Sequence, residues 1–211
     1  MKTVDAGFKA STVTVATLLA LPGLACAHHF MDDQRPLTFT QGLLSGLAHP
    51  VIGLDHLAFI IAAGFLLALI KHGMWGVLAL TLGSLFGAAL HLAGFNLAGG
   101  EAAVALSVVM VGGVVISGQR IPLFWLVGCL TLAGMLHGHA YAESIFGAEP
   151  MPLGGYLIGF CFVQLGIGIA ALGLHRRLLA ISANRARPVS SAVGAVVGAV
   201  GVVFLVSTAA S

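Results

Sequence analysis

The stretch "AHPVIGLDHLAFIIAAG", residues 48–64, decides the fold because it places His49, Asp55 and His56 inside an apolar run. Ionisable side chains are costly inside a bilayer, and those that occur there mark functional sites by default. A proline within a helix removes a backbone hydrogen bond and clashes with the preceding turn, so Pro50 predicts a break. The stretch therefore predicts a broken membrane helix that carries a polar site.

The apolar run around this stretch covers residues 38–70. As one straight helix it would be about 50 Å long, whereas a bilayer core is roughly 30 Å thick. We expect a short arm before His49, a break near Pro50 and Gly53, and a main helix from about residue 52. Non-helical backbone at membrane depth persists only where protein or a wet cavity satisfies it. The break itself therefore indicates a site.

The composition of the 211-residue chain, with 59% hydrophobic and 8% charged residues, is typical of a membrane protein, because soluble domains carry about 25% charged residues. A net charge of +2 gives no reason to expect nucleic acid as a partner. The three cysteines form no C-x-x-C pair, and no phosphate-binding G-x-x-x-x-G-K-[ST] loop is present. We expect neither an enzyme nor a protein with a prosthetic group.

Apolar segments of about 20 residues predict the membrane spans. The predicted fold is all-α, a polytopic helix bundle in which a domain over residues 38–211 holds six spans: 38–70, 74–98, 101–118, 121–145, 151–175 and 188–209. Small residues four positions apart let helix backbones approach closely. They predict packing at five glycine pairs: Gly42/Gly46, Gly83/Gly87, Gly134/Gly138, Gly155/Gly159 and Gly194/Gly198.

The N-terminus resembles a processing signal. A basic start, a short apolar segment and "ACA" at residues 25–27 predict a cleaved signal peptide over residues 1–27. A periplasmic arm over residues 28–37 would follow. The alternative is an uncleaved first helix. Cleavage after Ala27 would free an α-amine beside His28 and His29, and these groups together can chelate a divalent ion once deprotonated.

Basic residues predict the orientation, because loops on the cytoplasmic side carry an excess of lysine and arginine. With the mature N-terminus in the periplasm, alternate loops are cytoplasmic and hold six basic residues: Lys71, Arg120, Arg176, Arg177, Arg185 and Arg187. We expect a protein of the bacterial inner membrane with both mature termini in the periplasm. His72 and His175, which lie among these cations, are expected at the membrane surface.

The remaining buried polar residues fall at one predicted depth in the periplasmic half of the spans. They are His91 and three residues of "HGHAYAE": His137, His139 and Glu143. Helical spacing puts His139 and Glu143 on one face and turns His137 to another side, while His49 and His56 are two turns apart. Imidazole and carboxylate suit divalent Ni, Co, Zn or Fe, and the lack of thiolates argues against Cu(I).

We interpret these residues as a metal or proton pathway. The alternative for the group around His56 is a hydrogen-bonded core that holds the broken helix. His91 alone is equally consistent with a histidine that bonds a backbone carbonyl.

Two motifs resemble the HupE/UreJ family of hydrogenase and urease accessory membrane proteins. "HPVIGLDHLAFIIAAG" matches H-P-x-x-G-x-D-H-x7-G, and "LHGHAYAESIFGAEP" resembles a second motif, an H-G-x-A-x-x-E stretch in a later helix. Many members carry glycine where this chain has Ala142. The leader, the six spans and the histidine-rich mature start also fit, so the resemblance covers nearly the whole chain.

The resemblance implies a permease for nickel or cobalt. Its two motifs point to His49, Asp55 and His56, and to His137, His139 and Glu143. The ion would supply the assembly machinery of a hydrogenase, a urease or cobalamin. The first motif is also similar to the H-x4-D-H helix motif of nickel/cobalt permeases, but its spacing is one residue longer, so ligand geometry is not transferred.

The sequence-based interpretation is therefore an inner-membrane secondary permease for Ni²⁺, or next for Co²⁺. Its expected partners are the ion and the bilayer. One alternative is a membrane accessory protein that binds the metal without passing it. A second alternative is a b-type haem or other redox protein, in which His91 and His137 would face each other across helices.

Overall fold

A computed structural model describes residues 35–210, and within them every regular element is a helix. The predicted signal peptide, most of the predicted arm, and His28 and His29 lie outside the described residues. The seven helices are α1 (Phe39–Ile52), α2 (Leu54–Ala68), α3 (Gly73–Leu92), α4 (Gly100–Ser117), α5 (Leu123–Glu143), α6 (Pro150–Ile181) and α7 (Ala183–Ala210).

Five of these helices, α3 to α7, are each long and apolar enough to cross a bilayer. Helices α1 and α2 meet this criterion only together, as a broken span or re-entrant element bent by 74°. The count of spans is six when the bent pair is taken as one. The chain is a multi-pass membrane protein built from apolar helices.

The predicted break near Pro50 and Gly53 is confirmed, and it lies at Gly53. Helix α1 begins with a capping box, in which Thr38 Oγ1 accepts from Gln41 N and Gln41 Oε1 accepts from Thr38 N. Pro50 stays inside its last turn, because the N–H of Gly53 still donates to the carbonyl of His49 at 2.9 Å. The backbone becomes extended only at Gly53, with φ −69° and ψ 95°.

Three helix pairs, α1 with α6, α3 with α5, and α4 with α7, pack through glycines. Gly46 faces the backbone of Tyr156, Gly138 faces that of Ser84, and Gly112 faces that of Gly194. A Cβ at any of these glycines would overlap backbone atoms of the partner helix. The predicted packing at small residues is confirmed at Gly42, Gly46, Gly83, Gly87, Gly134, Gly138, Gly155, Gly159 and Gly194.

The segment from His175 to Pro188 was predicted to be a loop, and this was wrong. Helix α6 continues to Ile181, and α7 begins at Ala183. Ser182 alone separates them: its N–H donates to Leu178 O, and its carbonyl accepts from Ala186 N at 2.9 Å. One serine thus closes the first helix and caps the second.

The two ends of the bundle differ in polar content. The loops 93–99 and 144–149 lie at one end, called here the histidine end. The connections 69–72, 118–122 and Ser182 lie at the other, called here the arginine end. There Arg176 Nη2 donates to Ile70 O at 2.6 Å and so ties α6 to the end of α2. The largest apolar cluster lies between the two ends.

Candidate metal site

A pair of buried histidines forms the centre of the first polar cluster. His56 lies in the first turn of α2 and His137 two turns before the end of α5, and their Nδ1 atoms are 2.7 Å apart. Both rings are nearly inaccessible. At this distance one nitrogen donates a hydrogen bond to the other, so the two rings share a single proton between them.

His49 joins this pair from the other side of the break. Its ring centroid lies 5.7 Å from that of His56 and 5.2 Å from that of Tyr141. Its Nδ1 is 3.3 Å from Ser144 Oγ. The sequence predicted that His49 and His56, two helical turns apart, share one face. They instead stand on two helices, and the bend at Gly53 brings them together.

Asp55 lies beside the pair in the first turn of α2 and is 5% exposed. Its Oδ1 is buried and has no hydrogen-bond partner within residues 35–210. The positive end of the α2 dipole favours a carboxylate at this position. An acceptor buried without a partner costs free energy, so this oxygen is suited to a cation.

Gly53 fixes the arrangement of these groups. A Cβ at this position would stand 2.7 Å from His56 Cδ2, 3.3 Å from His49 O and 3.4 Å from Asp55 Oδ1. All three residues of the first motif therefore surround the same glycine. The extended backbone of the break is what turns the side chains of α1 and α2 toward one point.

Four further polar side chains line this cluster: Ser107, Tyr141, Ser144 and Tyr156. Ser107 Oγ lies 2.9 Å from His137 Nε2, so both nitrogens of that ring have partners. The Tyr156 hydroxyl donates to Tyr141 O at 2.7 Å and accepts from Ser144 Oγ. The Tyr141 hydroxyl is buried and, among the described residues, has no partner. We define the first cluster as His49, Asp55, His56 and His137 with these neighbours.

A second cluster lies on another face of α5. Ligand atoms of His91, His139 and Glu143 all lie within 4.8 Å of one another. His139 Nε2 is 2.8 Å from Phe95 O and 3.2 Å from His91 Nδ1, and His139 Nδ1 is 3.7 Å from Glu143 Oε1. Both histidines are buried, whereas Glu143 is about half exposed. We define the second cluster as His91, His139 and Glu143.

The structure therefore brings the predicted residues into two clusters and not into one. Residues two apart on a helix point about 200° apart, and this separates His137 from His139. The sequence predicted that "HGHAYAE" directs His137 and His139 to different sides of its helix, and this geometry agrees with that prediction. The carbonyl contact predicted as the alternative for a lone His91 is made instead by His139.

Sequence reasoning missed the tyrosines and serines of the first cluster. The chain has only two tyrosines, and both are fully buried beside His49. Tyr141 stands four residues after His137 on the same helical face, which was a usable signal. Ser107 lies in an otherwise apolar segment, and nothing in the sequence around it indicates that its hydroxyl contacts His137.

His175 was expected at the membrane surface, and this was wrong. It is 3% exposed, and its ring nitrogens lie 2.7 Å from Phe65 O and 2.9 Å from Ser190 Oγ. Its ring stacks on Phe65. His175 thus joins α2, α6 and α7 and belongs to neither cluster.

A bundle of apolar helices with several imidazoles and one carboxylate buried near one end defines a multi-pass membrane protein with a candidate cation site. The family model "HupE / UreJ protein" matches residues 16–204. The chain is 32% identical over 168 residues to protein HupE of Rhizobium leguminosarum bv. viciae, which covers 76% of this chain and 83% of that protein. No solved structure matches significantly. The chain belongs to the HupE/UreJ family.

Proposed function

We propose that this chain is an inner-membrane secondary permease for a divalent transition metal, with Ni²⁺ as the first substrate and Co²⁺ as the second. The observation that carries the proposal is the contact between His56 Nδ1 and His137 Nδ1 at 2.7 Å beside the buried Asp55 Oδ1, which has no hydrogen-bond partner within residues 35–210. Two imidazoles and a carboxylate from two helices, α2 and α5, converge there.

The separation of the two nitrogens suits an exchange of a proton for an ion. Nitrogens bound to one metal at about 2.1 Å lie roughly 3 Å apart when the bond angle is near 90°. The pair becomes two ligands when the donor ring moves its proton from Nδ1 to Nε2 and both rings rotate so that their Nδ1 lone pairs point at the ion. The two nitrogens then need to separate by only a few tenths of an ångström. Asp55 supplies a negative charge that lowers the cost of moving a dication out of water.

Ligand type favours nickel and cobalt over the copper(I) ion. The first cluster offers imidazole, carboxylate and hydroxyl groups, and such ligands suit divalent ions of intermediate hardness. Cys129 is exposed on α5, and Cys161 on α6 packs against the buried core that contains Tyr141 and Tyr156, so neither thiol is among the residues that define the first cluster.

The orientation and the fate of the ion complete the proposal. Six basic residues gather at the arginine end, which we assign to the cytoplasm. The histidine end then faces the periplasm, where His28 and His29 of the mature arm would capture ions. The relative from Rhizobium leguminosarum is named HupE, and the motifs resemble accessory proteins of hydrogenase and urease. We therefore propose that the imported ion supplies metalloenzyme or cofactor assembly.

Metal flux into proteoliposomes tests the proposal. Wild-type protein should accumulate Ni²⁺, and to a lesser extent Co²⁺, while the His56→Ala variant should match empty vesicles. His72→Ala is the matched control, because His72 is an exposed histidine at the arginine end, and it should transport as the wild type does. Tight binding by wild type without flux would favour the accessory protein that holds the metal and does not pass it.

The positions of His91 and His137 do not favour the alternative of a b-type haem protein. His91 contacts His139, whereas His137 contacts His56, so the two rings stand in different clusters. A bis-histidine haem would need His91 and His137 to face each other with a porphyrin between them. Absence of a Soret band from purified protein is the expected spectroscopic result.

A further inference from the structure

The second cluster raises a question that the permease proposal leaves open, because its side chains do not line the first cluster. Its ligand atoms come from the last turns of α3 and α5, next to the loop 93–99. Glu143 is 49% exposed, whereas Asp55 of the first cluster is 5% exposed. One cluster is therefore open to water at the histidine end, and the other is closed.

The hydrogen bonds of His139 prepare it as a ligand. Phe95 O is an acceptor only, so the contact at 2.8 Å places a proton on His139 Nε2. In a neutral ring Nδ1 then carries the lone pair, and it faces Glu143 Oε1 at 3.7 Å. A histidine that binds metal commonly donates its other N–H to a backbone carbonyl in this manner.

The spacing of the three ligand atoms fits one ion. Ligands on opposite sides of a metal at about 2.1 Å are about 4.2 Å apart, and the three atoms here lie within 4.8 Å of one another. Two histidines and one carboxylate, with open positions left for water, suit a hydrated divalent transition metal.

We infer that His91, His139 and Glu143 form a second, separate metal site that takes a hydrated divalent ion from the periplasm and loads the first cluster. The loading role rests on the proposed function, whereas the existence of the site does not. His137 and His139 are two residues apart on different faces of α5, so the ion must move around this helix to pass from one cluster to the other.

Binding stoichiometry tests the site without reference to transport. Titration of the full chain in detergent with Ni²⁺, followed by calorimetry, should show two ions per chain when His28→Gln and His29→Gln remove the proposed capture arm from the count. Glu143→Gln, and separately His91→Gln, should remove one ion and leave the other, and His56→Ala should remove the complementary one. Glu149→Gln alters an exposed acid at the same end and should leave both. Loss of all binding in each cluster variant would overturn the inference, as would a single ion in wild type.

Kinetics then separate loading from passage. In proteoliposomes Glu143→Gln should raise KM for Ni²⁺ about tenfold or more and leave the maximal rate nearly unchanged, whereas His56→Ala should abolish the rate. An unchanged KM in Glu143→Gln would overturn the loading role. Wild type that binds two ions and transports none would leave the site intact and refute the permease.

A different observation, at the arginine end, carries a second inference. A cavity of about 400 Å³ lies among α2, α4, α6 and α7, with Arg120, Arg187, Asn184 and Ser191 among its polar lining and Leu66 and Ile116 among its apolar lining. The four carboxylates within residues 35–210 are Asp55, Glu101, Glu143 and Glu149, and none of them lines it. The lining therefore holds two arginines and no carboxylate.

We propose that this cavity holds the phosphodiester headgroup of an anionic phospholipid. Guanidinium groups match phosphate oxygens in geometry and charge, and basic pockets between membrane helices bind such headgroups. The apolar part of the lining, which includes Leu66 and Ile116, accommodates the first carbons of the acyl chains. His175 is not a ligand, because its nitrogens contact Phe65 O and Ser190 Oγ.

Native mass spectrometry on protein from nanodiscs of phosphatidylcholine with phosphatidylglycerol tests this site. Wild type should retain phosphatidylglycerol in preference to phosphatidylcholine, and the double variant Arg120→Gln/Arg187→Gln should lose that preference. The control Arg177→Gln/Arg185→Gln removes the same charge from exposed arginines outside the cavity and should keep it. Equal loss in both double variants, or displacement of the lipid by soluble glycerol phosphate, would overturn the assignment.

Discussion

His56 and His137 are 81 positions apart in sequence, yet their Nδ1 atoms lie 2.7 Å from each other. His56 reaches this position because the chain bends at Gly53, and His137 because glycines seat α5 closely against α3. The contact therefore depends on two backbone features that can each be altered without touching either histidine.

Asp55→Asn removes the charge of the first cluster and keeps its shape. We expect Ni²⁺ uptake to fall to the level of empty vesicles, because a dication in an apolar surrounding needs a neutralising ligand. Thermal stability of the metal-free protein should not fall, since the carboxylate Oδ1 has no partner in the described chain. Glu101→Gln, an exposed acid in the first turn of α4, is the control. Full uptake by Asp55→Asn would refute the assigned role.

Gly53→Ala places a methyl group 2.7 Å from His56 Cδ2. The imidazole must move, so we expect weaker Ni²⁺ binding in calorimetry together with lower uptake. Gly166→Ala on α6 adds a Cβ that meets no atom within 4 Å and should bind as the wild type does. Unchanged affinity in Gly53→Ala would show that the bend does not position His56.

Gly138→Ala should destabilise the bundle, because its Cβ would overlap the backbone of Ser84 on α3. Overpacking of this kind costs about 1–3 kcal/mol, which thermal unfolding in detergent measures as a lower Tm. Gly128→Ala lies on the same helix, and its Cβ meets nothing within 4 Å. The Tm of this control should equal or exceed that of the wild type, because alanine stabilises a helix by about 1 kcal/mol relative to glycine. Equal Tm values would contradict the packing described for α3 and α5.

The two tyrosines should respond differently to removal of their hydroxyl groups. Tyr156→Phe breaks a hydrogen bond to Tyr141 O and one from Ser144, so Tm should fall by the equivalent of about 1 kcal/mol. Tyr141→Phe removes a hydroxyl that has no partner in residues 35–210, so Tm should hold or rise. If the Tyr141 hydroxyl binds the ion, Tyr141→Phe should lower the affinity for Ni²⁺ without lowering Tm. A lower Tm in Tyr141→Phe would reveal a structural role.

Much of the fold could be read from the sequence, because apolar length predicts membrane helices and small residues predict close packing. Residues beside the break could also be identified, since His49, Asp55 and His56 stand out in an apolar run. The break could be placed near Pro50 and Gly53, but the exact residue could not, because Pro50 keeps a helical conformation in the last turn of α1 and the backbone departs only at Gly53. A proline in the last turn of a helix can keep the helical conformation, so the helix can end a few residues after it.

The division into two clusters could not be predicted from depth alone. Depth follows from counting residues along each helix, whereas lateral position depends on which helices are neighbours. His91 and His139 meet because α3 packs against α5, and His56 and His137 meet across another face of α5. The tertiary contacts of Tyr156 and Ser107 are missed for the same reason, since both lie in segments whose periodicity indicates only a membrane helix.

X-ray absorption spectroscopy of Ni²⁺-loaded protein tests the central claim most directly, namely that the first cluster binds the transported ion. Glu143→Gln protein loaded with one equivalent of nickel should show nitrogen and oxygen ligands at about 2.1 Å and the multiple scattering of at least two imidazoles. Adding His137→Ala should reduce the imidazole contribution. A spectrum of water oxygens alone, unaffected by His137→Ala, would contradict the claim.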